Sequence, residues 1–215
     1  MILSGGMDSA TALWLEASVP GADVRAVSFD YGQRHRKELD AAAALARAAG
    51  VAHDIVDLKG LAQVFAGSAL TGGGDVPYGH YADESMKKTV VPNRNMVFLA
   101  LAGALAVRDR CDRLVYGAHA GDHAIYPDCR PDFYAAMKQA MLHADWHLVN
   151  LVGPFVHMTK TQIAALGGKL GVPYALTWSC YEGGAVHCGK CGTCVERREA
   201  FAHSGIPDPT EYAAP

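Results

Sequence analysis

Several things are scarce in this sequence, and each scarcity excludes something. The longest apolar run, Met96 to Val107, covers twelve residues. A membrane-spanning helix needs about 20, so this run is expected to be a buried helix and no membrane association is expected. No basic segment leads into a hydrophobic stretch at the start, so no secretory signal is expected. The net charge is only −3 with 19% charged residues, which leaves no global basic field to bind nucleic acid or an anionic membrane directly. Neither an internal repeat nor a low-complexity tract is found. Cysteine is sparse too, six in 215 residues, yet four crowd into one C-terminal stretch. Without a signal segment, that crowding favours metal over disulfides and a cytoplasmic setting.

What is present begins at once. Met1-Ile2-Leu3-Ser4-Gly5-Gly6-Met7-Asp8-Ser9 reads as a strand end, a glycine turn and the first turn of a helix. Glycines let the backbone come close to a ligand, Ser4, Asp8 and Ser9 offer capping groups, and free N–H groups at a helix start attract an anion. An ordinary strand-turn-helix corner is the plain alternative. No lysine follows the glycines, so this is not a G-x-x-x-x-G-K-[ST] loop. Only Ile2 and Leu3 precede Ser4, so the first strand is short or starts upstream.

Further strands are expected at Asp23 to Phe29, Val51 to Val56, Arg113 to Gly117 and Leu148 to Val152, the last central because it is apolar on both faces. Helices are expected from Asp8 or Ser9, either of which could cap, to Ser18; from Leu39 to Gly50; from a cap at Asn93 or Asn95 through the apolar run; from Phe133 to Leu142; and from the Thr159-Lys160-Thr161-Gln162 capping box to Gly171. Strands alternating with helices give an α/β fold, a doubly wound five-stranded parallel sheet spanning residues 1–172, with a small C-terminal subdomain at 173–215. Lys59 to Pro92 is long and aperiodic, includes Gly72-Gly73-Gly74 and Asp83 to Lys88, and is expected to be a lid. Asp30 to His35 lies at a strand's carboxyl end, where such sheets place ligands. Arg94 and Lys160 fall in first helical turns, as phosphate contacts or as solvated surface charge. The polar stretch Ala118 to Pro131 carries His119, Asp122, His123, Tyr126, Asp128, Cys129 and Arg130, and suits a substrate pocket better than a metal cluster.

Cys180, Cys188, Cys191 and Cys194 follow C-x7-C-x2-C-x2-C with glycines between them. Two-residue gaps let thiolates converge on one cation, and four sulfurs point to closed, structural zinc. A redox pair or an iron–sulfur cluster is the alternative, and His187 or His203 could stand in for a cysteine.

The glycine turn resembles the Ser-Gly-Gly-x-Asp-Ser PP-loop of the ATP pyrophosphatases. Together with Phe29 to His35, Val91 to Asn95, Tyr126 to Pro131, Trp178 to Tyr181, the cysteine set and Asp208 to Tyr212, it resembles the QueC family of 7-cyano-7-deazaguanine synthases over essentially the whole chain. The resemblance implies a Rossmann-like fold of the adenine nucleotide alpha hydrolase type. It also implies conversion of 7-carboxy-7-deazaguanine and ammonia to the nitrile at the expense of ATP, with magnesium on the phosphates and structural zinc. Leu3, Ser4, Gly5, Gly6, Met7, Asp8, Ser9 and Phe29 would bind ATP and pyrophosphate. Asp8, Arg94, Lys160 and Asp122 would be catalytic. Tyr31, Gln33, Arg34, His35, Asp122, Tyr126, Asp128 and Arg130 would bind the deazaguanine. A homodimer is implied as well. No glutaminase domain fits this length, so ammonia would arrive free or from another protein. Two other readings remain: tRNA thiolation with Cys129 carrying sulfur, and a zinc-bound interaction module on an inactive nucleotide fold.

Overall fold

Two parallel strand pairs and the first three residues between them form the frame. In a computed structural model describing residues 1–72, 74–80 and 84–213, β1 (Arg25–Asp30) pairs in parallel with β2 (Ala52–Asp57), and β3 (Arg113–Val115) with β4 (Asn150–Val152). Residues 1–3 join the pairs: Leu3 N–H donates to Val27 O at 2.9 Å, Val27 N–H to Met1 O at 2.9 Å, and Ile2 N–H to Val115 O at 2.9 Å. The order is therefore β2, β1, residues 1–3, β3, β4. The chain winds outward through β1 and β2, then returns past its own start to β3. The direction reverses at the carboxyl end of residues 1–3, where α/β sheets open a ligand crevice.

The five-stranded expectation is met in this form, with one correction. β4, expected to be central, is the outermost segment beside β3. It is apolar because α4 (Pro131–Leu142) covers it, with Tyr134 OH donating to Leu151 O at 3.2 Å.

Helices pack on both faces. One apolar cluster joins α3 (Arg94–Arg108) and α4 to the sheet through Phe29, Phe98, Leu99, Leu114 and Met141, with Phe29 stacked on Phe98 at 4.4 Å. A second joins α1 (Met7–Ala17), α2 (Lys37–Ala49), α5 (Lys160–Leu170) and α6 (Gly192–Ser204) through Leu13, Leu45, Ala164 and Phe201. The α5 capping box forms as expected, and α2 and α5 end in left-handed Gly50 and Gly171. Two caps differ from expectation. Gly6, not Asp8 or Ser9, occupies the N-cap of α1 with no side-chain cap bond, because the helix already begins at Met7. Asn93 does hold the N-cap position of α3, but in a left-handed conformation and with no side-chain cap bond, and Asp128 Oδ2 accepts the Asn95 N–H at 3.1 Å. The segment expected to be a lid is not a loose flap: Phe65, Leu70 and Met86 are buried in the first cluster. Gly73 and Asp83 of that segment lie outside the described residues.

Arg197 ties the C-terminal region together from within. It is fully buried, its guanidinium donating to Thr177 Oγ1 at 2.7 Å, Thr210 Oγ1 at 2.7 Å and Tyr174 O at 3.1 Å, with Asp208 at 3.5 Å. Truncating one partner of a buried charged network strands the others, at about 3–5 kcal/mol. Arg197→Leu is expected to lower unfolding free energy by about 3 kcal/mol in urea titrations; a loss within the error of the midpoint would contradict this role.

Candidate active site

The glycine turn sits at the crevice and is held from two sides. Gly5 has φ +85°, and a Cβ there would lie 2.1 Å from Glu38 O of α2. On the other side Trp178 N–H donates to Gly5 O at 2.9 Å. Ser9 Oγ accepts the Ser4 N–H at 3.2 Å and lies 3.0 Å from Ser4 Oγ, closing the turn on itself. No side chain caps α1, and residues of its opening turn, with Ser4, Gly6, Arg94 and Lys160, line a cavity of about 220 Å³, where a helix N-terminus favours an anion.

A buried charge network forms one wall. Lys160 Nζ lies 3.1 Å from Asp8 Oδ2 and 2.8 Å from Glu196 Oε2. Burial opposes the ammonium, but Asp8, Glu196 and Asp122 outweigh it and hold the group well above its ordinary range. His119 Nδ1 accepts the Gly121 N–H at 3.0 Å, so Nε2 carries the proton and faces Asp122 Oδ1 at 3.5 Å and Asp8 Oδ2 at 3.8 Å. Asp8 Oδ1 is buried and has no hydrogen-bond partner among the described residues, leaving acceptor capacity for a ligand or cation.

Aromatic residues form the opposite side. Phe29, Tyr31, Trp178 and Tyr181 line the cavity beside Arg94. Burial works against the Arg94 charge, yet Tyr31, Tyr181 and Asp128 outweigh it and the guanidinium stays charged. Burial pushes the Tyr31 phenol up to about 12, so it remains a neutral donor beside that guanidinium. Cations, a helix N-terminus and flat aromatic faces on one cavity together suit a nucleotide-like ligand bearing negative charge.

Of the residues expected to bind nucleotide, Leu3, Ser4, Gly6, Met7, Asp8, Ser9 and Phe29 line the cavity, and Gly5 shapes the turn behind it. Tyr31, His35 and Asp122 also line it; Gln33, Arg34, Tyr126, Asp128 and Arg130 do not. Gln33 braces its own loop, donating to Phe29 O at 3.1 Å. Arg34 reaches Gly74 O at 3.0 Å, and exposed Arg130 donates to His123 O at 2.8 Å. Tyr126 is buried, its OH 3.3 Å from Tyr181 OH, so it supports a lining residue from behind. Sequence reasoning passed over Glu196, Glu38 and Ser179. Glu196 carries no local signal, since its partner Lys160 is 36 residues away.

The four cysteines converge as their spacing predicts. The Sγ atoms of Cys180, Cys188, Cys191 and Cys194 lie within 4.8 Å of one another, Cys188 and Cys194 at 4.0 Å. A tetrahedron with metal–sulfur bonds of about 2.3 Å has edges of ~3.8 Å, so the set needs little contraction to close on an ion. Backbone N–H groups of Cys188 and Cys191 point to Cys180 and Cys188 sulfurs, each at 3.3 Å. The thiols also hydrogen-bond among themselves: Cys191 is pulled below its ordinary range by Cys180 and Cys194, whose own thiols are raised in return, so the sulfurs act as one group. His187 stands outside the set: burial lowers it to about 4, and its Nε2 accepts the Ser179 N–H at 3.1 Å as a neutral ring. Cys129 is buried, and burial together with Asp122 and Asp128 pushes its thiol well above the usual range.

Comparison with known proteins extends this picture. A family model described as queuosine biosynthesis protein QueC matches residues 1–205. Relatives named 7-cyano-7-deazaguanine synthase are similar over nearly the whole chain. That of Paracoccus denitrificans (strain Pd 1222) is 52% identical over 214 residues, covering 99% of this chain and 91% of the relative. That of Caldicellulosiruptor saccharolyticus is 52% identical over 213 residues, covering 99% and 94%. A solved structure, the U34-tRNA thiolase NcsA from Methanococcus maripaludis with its [4Fe-4S] cluster, has a TM-score of 0.49 and 18% identity over 80% of this chain and 56% of that one, too low for inference about chemistry.

Cys191→Ser is expected to remove a buried sulfur ligand and so reduce bound metal and thermal stability together, measured by elemental analysis and thermal unfolding of the same preparation. A metal-free variant as stable as the parent would overturn a structural role for the cluster.

Proposed function

Because the chain belongs to the QueC family of queuosine biosynthesis proteins, we propose that its cavity converts 7-carboxy-7-deazaguanine, ammonia and ATP into 7-cyano-7-deazaguanine, AMP and pyrophosphate. One observation carries this reading: the glycine turn, Arg94 and Lys160 share a single cavity with Phe29, Tyr31, Trp178 and Tyr181. A carboxylate becomes a nitrile only by losing both oxygens, and neither leaves unaided at neutral pH. Transfer of AMP makes the first a leaving group, which ammonia displaces to give an amide. A second AMP transfer, to the amide oxygen, allows elimination to the nitrile.

Each residue then has a task. The open N–H groups of α1 with Ser4, Gly6 and Ser9 hold the departing pyrophosphate, and Lys160 and Arg94 balance the charge that builds as the bond to the α phosphorus breaks. Asp8 orients Lys160, and its spare oxygen suits a magnesium ion, which would neutralise phosphate charge when bound. Tyr31 and Tyr181 provide flat faces for a purine-like ring, and Asp122 accepts from its N–H groups. We assign zinc to the four cysteines as a structural ion, in a subdomain at 173–215 attached to a nucleotide-binding domain at 1–172. The enzyme is read as a cytoplasmic homodimer that takes ammonia from solution or from another protein.

The thiolation alternative loses support at Cys129: a sulfur carrier must ionise and be reached, whereas this thiol is 5% exposed and suppressed by burial.

Pyrophosphate release is expected to depend on 7-carboxy-7-deazaguanine. Asp8→Ala is expected to reduce it about 10²–10³-fold with metal content unchanged, since Lys160 keeps Glu196 as its counterion. Cys129→Ser is expected to stay within a few-fold of the parent. Release that required tRNA, or was lost in Cys129→Ser, would favour the thiolation reading.

A further inference from the structure

The nitrile nitrogen bears no hydrogen, so ammonia must surrender all three of its N–H bonds at this site. Three proton transfers need an acceptor, and most titratable groups lining the cavity are committed. Asp8 pairs with Lys160, Asp122 faces His119, and the thiol of Cys129 and the phenols of Tyr31 and Tyr116 are held protonated, chiefly by burial. His35 differs. It is 4% exposed, lines the cavity, and its Nδ1 is buried with no hydrogen-bond partner among the described residues.

The hydrogen bonds around it set the tautomer. Gln33 Oε1 accepts the Tyr31 N–H at 2.9 Å, which fixes the amide so that Gln33 Nε2 donates to Glu38 Oε1 at 3.0 Å. The other oxygen, Glu38 Oε2, lies 3.0 Å from His35 Nε2. An ionised carboxylate only accepts, so the ring proton resides on Nε2 and the lone pair on Nδ1. Glu38 also abuts the glycine turn through its carbonyl, and Gly183, at φ +68°, brings the C-terminal region against His35, where a Cβ would lie 3.4 Å from its Cα. A base oriented by a carboxylate, itself oriented by an amide, is the arrangement that acid–base catalysis requires. A buried acceptor left open is destabilising unless a ligand fills it.

We propose that His35, oriented by Glu38 and Gln33, is the general base for the nitrogen steps; this rests on the function proposed above. In the first step the ammonia lone pair forms the C–N bond at the acyl adenylate, the C–O bond breaks with its electron pair on AMP, and one N–H proton passes to His35 Nδ1. In the second, the amide oxygen attacks the α phosphorus of a second ATP, pyrophosphate leaves, and a second N–H proton passes to Nδ1 as the C=N bond forms. In the third, the last N–H proton passes to Nδ1, its bonding pair completes the C≡N bond, and AMP leaves with the C–O pair. Between steps the imidazolium, countered by Glu38, returns its proton to solvent.

The first activation, of the carboxylate, involves no N–H bond, and this separates the proposal from a merely structural role. With the intact metal-loaded enzyme, exchange of labelled pyrophosphate into ATP driven by 7-carboxy-7-deazaguanine reports that activation; nitrile formation with ammonia, or from the 7-amide and ATP, reports the nitrogen steps. His35→Gln is expected to lower the ratio of nitrile formation to exchange about 10²–10⁴-fold. Glu38→Gln is expected to lower the same ratio, and the double variant to be no worse than about the poorer single one, because the residues act as a unit. Exchange and nitrile formation falling by one common factor in both variants, or an unchanged ratio, would overturn the assignment of the base. A parent enzyme showing no carboxylate-driven exchange would instead overturn the proposed function beneath it.

Discussion

The site depends on a contact too close for a side chain. Where Gly5 passes Glu38, the room that a methyl group would need is already taken by a carbonyl oxygen, and the backbone there is left-handed. Glycine is therefore a requirement of packing as much as of turn geometry. Because α2 presses on the turn from one side and the Trp178 amide holds it from the other, the open amides of α1 are presented without a flexible loop. Rigid placement of donors before charge develops is what makes such a site effective.

Electrostatics follow from that placement. Lys160 stands between Asp8 on α1 and Glu196 on α6, so one cation ties the opening helix to the C-terminal region. Two carboxylates around one buried ammonium leave a local excess of negative charge, which neighbouring His119 moderates by offering its Nε2 proton. Across the cavity Arg94 remains charged in aromatic surroundings. The cavity thus has one buried cation on each side and apolar walls between them.

Much of this was legible in the sequence, and what was not has physical causes. The glycine turn, the capping box at Thr159 and Gln162, and the cysteine spacing each satisfy a local requirement within a few residues, so short-range reading found them. The alternation of strands and helices was legible for the same reason. The position of β4 was not, because an apolar strand looks the same whether neighbouring strands or a helix such as α4 cover it. Asp128 was expected at the substrate; its carboxylate instead meets the Asn95 amide at the start of α3, a match across 33 residues that no local pattern announces. Glu196 and Glu38 escaped because each becomes part of the site only when folding brings Lys160 or His35 beside it.

Helix α6 carries Cys194 and Glu196 two residues apart near its start. Sulfur scaffold and ammonium counterion thus share one rigid piece of backbone, while Trp178 and Tyr181 arrive from the same region as walls of the cavity. The C-terminal region is therefore not a detachable module. A chimera that grafted a foreign metal knuckle onto the α/β core would lose a charge partner and two aromatic faces at the same cut.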